Sequence, residues 1–388
     1  MKIIKYGRQT IDDEDIKSVI EVLKSDWLTQ GPKVPEFENA VANYVGVDYA
    51  TATNSATSAL HIACMALGLK EGDRVWTSPN TFVATSNAAL YCGAKVDFID
   101  IDKDTYNIDV NLLEAKLIEA KNNNALPKII IPVHLAGQSP DMERINELSK
   151  IYHFKTVEDA SHSIGAQYKN RHVGCCDYSD ITIFSFHPVK IITTGEGGMA
   201  LTNNAELDRL LKMHRSHGIS STQQDMISMP KDELWNYQQI TMGYNYRMTD
   251  IAAALGINQL KKLKSFISKR HKIAKKYDET LIDIPIKLPS TSPNSYSSFH
   301  LYIIRLMLDK ISKTQRQIHD ELIDLGIMVN LHYIPVYRQP VYQDLGFKKG
   351  YCPEAENYFK EALSIPIHPS MSEDDQNTVI KLLKQVIV

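Results

Sequence analysis

Four short segments of the chain hold residue types whose spacing could do chemistry. Lys190 ends the run Phe184-Ser185-Phe186-His187-Pro188-Val189-Lys190, and Ile191, Ile192 and the turn Thr193-Thr194-Gly195-Glu196-Gly197-Gly198 follow it. A lysine placed between apolar segments loses solvation, which favours a neutral amine able to attack a carbonyl and then carry protons. The turn lacks the order G-x-x-x-x-G-K-[ST] and is not a nucleotide P-loop. Asp159, in Thr156-Val157-Glu158-Asp159-Ala160-Ser161-His162, ends a buried strand where an unpaired carboxylate is costly. A protonated pyridine nitrogen on a ligand would remove that cost, and so would a structural Arg or backbone amides. His162 either reaches a ring hydroxyl of such a ligand or packs as a core histidine. Asn54-Ser55-Ala56-Thr57-Ser58-Ala59-Leu60 opens a helix with small and hydroxyl residues. Its free N–H groups suit a phosphate, and its Asn-Ser pair equally suits an ordinary cap. Gly243-Tyr244-Asn245-Tyr246-Arg247-Met248 offers Asn245 and Arg247 either to a site shared with a neighbouring subunit or as a plain cap and a surface charge.

Those segments need elements to hold them. Strands are expected over Tyr49–Thr53, Arg74–Thr77, Lys95–Ile99, Lys128–Val133, Phe154–Glu158, Ile181–Phe184 and Met199–Thr202. Helices are expected between them over Ala56–Leu67, Thr81–Tyr91, Val110–Ala120, Asp141–Tyr152 and Ala205–Ser216. The alternation predicts an α/β fold whose mostly parallel, seven-stranded sheet is covered on both faces, the direction of the edge strands being open. Ligands gather at the carboxyl ends of strands in such sheets. Thr249–Lys276 reads as one long helix with Thr249 as its cap. Pro285, Pro289 and Pro293, with the serines between Ser290 and Ser298, read as a surface connection. Strands near Leu301–Leu306 and Met328–His332 and helices near Lys313–Leu325 and Ser372–Val386 then form a smaller α+β unit. The expected division is a large domain over residues 1–265 and a small C-terminal domain over residues 266–388.

With 388 residues the chain has room for two packed domains. Lys plus Arg is 43 against 46 for Asp plus Glu, a formal charge of -3. That balance offers no basic face of the kind nucleic acid or an anionic membrane selects. No apolar run approaches the roughly 18–20 residues of a membrane span, and the chain turns polar after Ile3 and Ile4, unlike a signal peptide. Cys64, Cys92, Cys175, Cys176 and Cys352 form no C-x-x-C pair and no zinc spacing. A metal-free cytoplasmic protein with reduced thiols is expected, without nucleic-acid or membrane partners.

Taken together, the four segments resemble the DegT/DnrJ/EryC1/StrS family of sugar aminotransferases, in order and spacing over nearly the whole chain. The resemblance implies the pyridoxal 5'-phosphate (PLP) transferase architecture of fold type I and PLP as cofactor. It gives Lys190 the role of the Schiff-base lysine and Asp159 that of the acid paired to the pyridine nitrogen, with His162 beside it. It makes Phe82 the aromatic that stacks on the ring, and Ala56, Thr57 and Ser185 phosphate contacts. Asn245 becomes a contact donated by the second subunit of a homodimer with shared active sites. Tyr6, Asp26, Trp27, Leu28, Thr29, Ser55 and the stretch Val329, Asn330, Leu331, His332, Tyr333 match places that hold a nucleotide sugar, Ser185 and Asn245 being counted with them. The motifs NSATSAL at 54–60, SFHPVK at 185–190, TTGEGG at 193–198 and RSHG at 215–218 are most similar to members that act on a UDP-linked 4-keto-6-deoxy-N-acetylhexosamine in pseudaminic acid synthesis.

The reaction so implied has two halves on one site, L-glutamate giving its amino group and the keto-sugar taking it, with Lys190 moving the proton each time. Ping-pong kinetics are expected. Relatives with His at the lysine position perform dehydration, and Lys190 points away from that. Arg247 is the candidate for the glutamate side-chain carboxylate. The alternatives are the same chemistry on a dTDP- or GDP-linked 3- or 4-keto sugar, a PLP-binding regulator, and a PLP lyase using Cys175 or Cys176.

Overall fold

A computed structural model describes residues 2–222, 225–226 and 237–388. Its central sheet has seven strands: β1 (Tyr49–Thr53), β2 (Arg74–Thr77), β3 (Lys95–Phe98), β4 (Ile129–Ile131), β5 (Lys155–Asp159), β6 (Ile181–Ser185) and β7 (Gly198–Thr202), in the order β1-β7-β6-β5-β4-β2-β3. Neighbours are parallel except β7, which runs antiparallel to both β6 and β1. The reversed strand thus lies inside the sheet and not at an edge. Its cause is local: the chain leaving β6 passes Lys190 and turns back through the glycines with no crossover helix, so it returns antiparallel.

Among the described residues eight helices flank this sheet or lead into it: α1 (Asp13–Leu23), α2 (Lys33–Val45), α3 (Ala56–Ala66), α4 (Ala84–Tyr91), α5 (Val110–Asn122), α6 (Met142–Tyr152), α7 (Ala205–Arg215) and α8 (Asp250–Thr280). Alternation within the strands decides which helix each side chain meets. Ile129, Ile131, Ile181 and Ile183 pack with Leu60 and Ala88 of α3 and α4, whereas Ile130 and Trp76 pack with Leu113 and Leu148 of α5 and α6. Near β1 and β7 the second face is covered by Phe37 of α2 and Leu263 and Phe266 of α8.

Three expected elements are clearly shorter than the pattern suggested, the Lys128–Val133 strand being confined to Ile129–Ile131. The Thr81–Tyr91 helix begins only at Ala84, leaving Thr81 and Phe82 in the approach to it. Of Met328–His332 only Met328 lies in a strand, Ile327–Met328, which pairs with Ile4–Lys5; Asn330 adds a single bridge to Ser364. That stretch is held instead by residues further along the chain. Val336, Tyr337, Tyr342, Ala355 and Tyr358 are buried in the same core as α3 and α4, and Val336 N–H donates to the Pro79 carbonyl at 3.0 Å.

Helix α8 runs unbroken through residue 265, with Leu263 and Phe266 in the core beneath the sheet and Ile273, Ala274 and Tyr277 in a second core with Tyr302, Ile304, Ile365 and Leu383. Ile4 joins that second core. We propose the division near residue 265 as the point where α8 passes from one core to the other.

Candidate active site

The carboxyl ends of β5 and β6, the amino end of α3 and the stretch after Met328 converge on a cavity of about 390 Å³. Of the residues singled out above, Tyr6, Ser55, Ala56, Thr57, Phe82, Asp159, His162, Ser185, Lys190, Asn330, Leu331, His332 and Tyr333 line it. Its size suits a small-molecule ligand.

Lys190 is held by a loop fixed at both ends. Ile191 and Ile192 are buried in the core, Phe186 N–H donates to the Gly197 carbonyl at 2.9 Å, and Thr194 N–H returns to the Phe186 carbonyl at 3.0 Å. The turn needs glycine twice. Gly195 has φ of +84°, and a Cβ on Gly198 would lie 2.5 Å from the Ala56 nitrogen. Gly198→Ala should therefore push β7 off the start of α3, lowering stability by about 2–3 kcal/mol. Urea unfolding would measure this, with weaker PLP binding alongside.

The Lys190 amine makes no ion pair among the described residues, and burial lowers its pKa to about 8, with Asp159 opposing the fall. Above that pH the amine is mostly neutral and reactive; below it, each unit of acid removes about ninety per cent of the reactive form. The rate of PLP incorporation into the apo-protein should rise steeply with pH up to about 8 and then level off, as stopped-flow absorbance would show.

Asp159 ends β5 and is buried. One carboxylate oxygen accepts from the Thr85 hydroxyl at 2.6 Å, and the other from the Ser161 hydroxyl at 2.5 Å and the Ser161 N–H at 3.2 Å. Among the described residues no Lys, Arg or His forms an ion pair with it. The structural-Arg alternative is thus absent there, while the backbone-amide alternative is met in part. A carboxylate so placed at a cavity wall fits a cationic ring nitrogen.

His162 is buried and both its nitrogens are engaged: Nδ1 accepts from the Ala136 N–H at 3.2 Å, and Nε2 lies 3.2 Å from the Tyr333 hydroxyl. Burial and the nearby Lys190 hold its pKa well below the ordinary histidine range, so the ring is neutral. Phe82 stands at the mouth, 60% exposed, its ring centroid 6.4 Å from that of Tyr333. At the opposite side Ser55 caps α3, its side chain accepting from Ser58 N–H at 3.1 Å. The first-turn N–H groups of Ala56 and Thr57 have no acceptor among the described residues, which is where an anion binds a helix. These features fit PLP: a lone amine, a buried carboxylate without a cationic partner among the described residues, an exposed aromatic face and an anion-binding helix end.

The remaining expected residues lie elsewhere. Asp26, Trp27, Leu28 and Thr29 are exposed beyond α1, where the Asp250 N–H donates to the Leu28 carbonyl at 3.1 Å and Thr29 bridges to Thr249. Asn245 is exposed and bridges to Ser216, and Val329 is buried in the second core. None of these six lines the cavity within this chain. Arg247 bridges by its backbone to Thr53. Cys175 and Cys176 are buried away from the cavity, with Cys176 Sγ 3.3 Å from the Thr182 hydroxyl. Thr85, Ser161 and His300 are contributors to which the sequence assigned no role. Ser161 and Thr85 lie close to residues that were singled out, two from Asp159 and three from Phe82. His300 carries no local signal.

Among the described residues no group of His, Cys, Asp and Glu is arranged to hold a metal, and no helix is long and apolar enough to cross a membrane. The model of the DegT/DnrJ/EryC1/StrS aminotransferase family matches residues 9–384. The UDP-4-amino-4,6-dideoxy-N-acetyl-beta-L-altrosamine transaminase of Campylobacter jejuni is 42% identical over 392 aligned residues, covering 99% of this chain and 98% of its own. Among solved structures, Helicobacter pylori PseC, an aminotransferase involved in the biosynthesis of pseudoaminic acid, superposes with a TM-score of 0.89 at 32% identity, covering 100% of this chain and 99% of its own. The putative sugar aminotransferase Spr1654 of Streptococcus pneumoniae, in its PMP form, gives 0.88 at 29% identity, with 99% and 97% covered. The architecture is that of the fold-type-I PLP-dependent aminotransferases, and the chain is an aminotransferase belonging to the DegT/DnrJ/EryC1/StrS family.

Proposed function

We propose that the enzyme transfers the amino group of L-glutamate to C4 of a UDP-linked 4-keto-6-deoxy-N-acetylhexosamine, as in pseudaminic acid biosynthesis, with PLP carried on Lys190. The observation that carries this reading is the pairing of Lys190 with Asp159 in one cavity, on a chain 42% identical to the Campylobacter transaminase.

When bound, PLP supplies the carbonyl carbon that receives the amino group and the ring that accepts electrons from the broken C–H bond. Lys190 takes the proton from the donor Cα and delivers it again, and its lowered pKa makes the amine a base near neutral pH. The Asp159 carboxylate holds the ring nitrogen protonated, and Thr85 and Ser161 fix its two oxygens. The amino end of α3, with Thr57 and Ser185, would hold the phosphate, and Phe82 would supply the aromatic contact to the ring. Tyr6, Ser55 and the stretch from Asn330 to Tyr333 contact the sugar, while Val329 shapes that stretch from the core.

Asp26 to Thr29 and Asn245 point to a homodimer with shared active sites, since they are exposed here and would complete the partner's cavity. Ile16, Ile20 and Leu23 form an exposed apolar stripe on α1 next to Trp27 and Leu28, a surface suited to such an interface. Arg247, in the same loop as Asn245, is the proposed contact for the glutamate side-chain carboxylate.

The test is turnover of UDP-, dTDP- and GDP-linked keto-sugars with L-glutamate, read by the mass of the amino-sugar product. Preferential amination of the UDP-4-keto-6-deoxy-N-acetyl sugar is expected. Preference for a dTDP- or GDP-sugar would move the assignment to another nucleotide sugar, and no amination of any of them would overturn it.

A further inference from the structure

His162 and Tyr333 form a hydrogen-bonded pair whose direction the protein fixes. The Ala136 N–H can only donate, so His162 Nδ1 is an acceptor, and the proton of the neutral ring lies on Nε2. Nε2–H then donates to the Tyr333 oxygen 3.2 Å away. The imidazole is locked in place by His300, which packs against it with centroids 4.3 Å apart, and by the Ser298 hydroxyl, which donates to the His162 carbonyl at 2.7 Å. Since Nε2 cannot accept, the phenolic proton of Tyr333 must point elsewhere. No other partner for that hydroxyl exists among the described residues, and Tyr333 lines the cavity. Burial and the neighbouring Asp159 push the phenol's pKa up, so the proton stays on it. A donor without a protein acceptor at the wall of a cavity is free to bond a ligand that enters it.

We propose that the Tyr333 hydroxyl donates a hydrogen bond to an oxygen of the bound ligand at the reacting end of the cavity, with His162 as the positioning residue that aims its proton. This rests on the reading of the cavity as a PLP site. The ligand oxygen is that of a carbonyl or phenolate, which has two sources: the keto-sugar or the cofactor ring. A neutral donor fixed in advance stabilises negative charge developing on such an oxygen without reorganisation. The geometry also gives His162 a role other than direct contact with the ring hydroxyl, since both its nitrogens are already engaged.

The experiment uses the PLP-loaded enzyme and Tyr333→Phe, which keeps the ring and removes only the hydroxyl. If the oxygen belongs to the cofactor, the pH midpoint of the resting visible band should move up by about 0.5–1 unit in the variant, because a lost donor makes the ring oxygen more basic. If it belongs to the sugar, the midpoint stays and single-turnover amination of the keto-sugar falls about 10²-fold. In either case His162→Phe should shift the same readout in the same direction, and the double variant should change it no further than Tyr333→Phe alone. A Tyr333→Phe enzyme with an unmoved midpoint and single-turnover rates within about twofold of the parent would overturn the proposal. So would full additivity with His162→Phe. Failure of the parent enzyme to form a visible band with PLP would instead count against the PLP reading itself.

Discussion

Lys190→Ala should lower turnover by about 10⁴-fold or more while leaving the fold in place. The change removes the only amine among the described residues that line the cavity, and with it both the covalent attachment of PLP and the proton carrier for each half-reaction. The fold should survive for a separate reason. The Lys190 ammonium makes no ion pair among the described residues, and the loop is held by the burial of Ile191 and Ile192 and by backbone bonds at Phe186. The variant should still bind PLP through the helix end of α3, but the cofactor should wash out on desalting. Absorbance before and after desalting, beside single-turnover rates, separates the two losses. Retained turnover would remove Lys190 from the mechanism.

Asp159→Asn should have the second largest effect, lowering amination by about 10²–10⁴-fold. The amide can still accept from Thr85 or Ser161, but it cannot hold a ring nitrogen in its protonated state. Stability should move the other way. In the apo-protein the buried carboxylate lacks a cationic partner among the described residues, so removing its charge should stabilise that form by about 1 kcal/mol. Thermal unfolding should show a midpoint raised by about 2 °C without PLP. Bound PLP should stabilise the parent more than the variant. This opposition between stability and activity is the signature of a site residue whose burial cost is met by its ligand. A variant that loses stability and keeps activity would make Asp159 a structural residue.

How much of this could be read from the sequence depended on whether a residue's environment was local. The seven sheet strands were legible because each is a short apolar run with turn residues on both sides, and Asp159 and Lys190 stood out as charges at the ends of such runs. The position of the reversed strand was not legible, because pairing across a sheet is set by the path between strands. Helix α1 was missed for a different reason. Its outward face carries Ile16, Ile20 and Leu23, while its inward face buries Asp15 against Asn258, Gln259 and Lys262 of α8. The helical spacing of Ile16, Ile20 and Leu23 is present in the sequence, but that this face turns outward is not, because it depends on the polar partners that α8 supplies.

The site divides along the same line. Ser55 to Thr57, Asp159, His162, Ser185 and Lys190 sit in contiguous motifs, and the structure brings them to one cavity. His300 comes from the far side of the Pro- and Ser-rich connection and reaches His162 only through tertiary packing. The stretch from Met328 to His332 was expected as a strand, yet beyond Met328 only one bridge, at Asn330, extends the short strand there. What holds it over the cavity is the burial of Tyr337, Tyr342 and Tyr358 further along the chain, which no local pattern reports. Asp26 to Thr29 and Asn245 remain outside the cavity of this chain, so their place in the proposal depends on a second subunit.

Attachment of PLP to Lys190 and acceptance of an amino group from L-glutamate each change the visible spectrum. The decisive measurement is the visible absorbance of the purified protein with PLP, recorded before and after L-glutamate. A yellow band that survives desalting and is bleached by L-glutamate to the pyridoxamine form is the predicted result. A band that never forms, or one that forms and is untouched by L-glutamate, would contradict it.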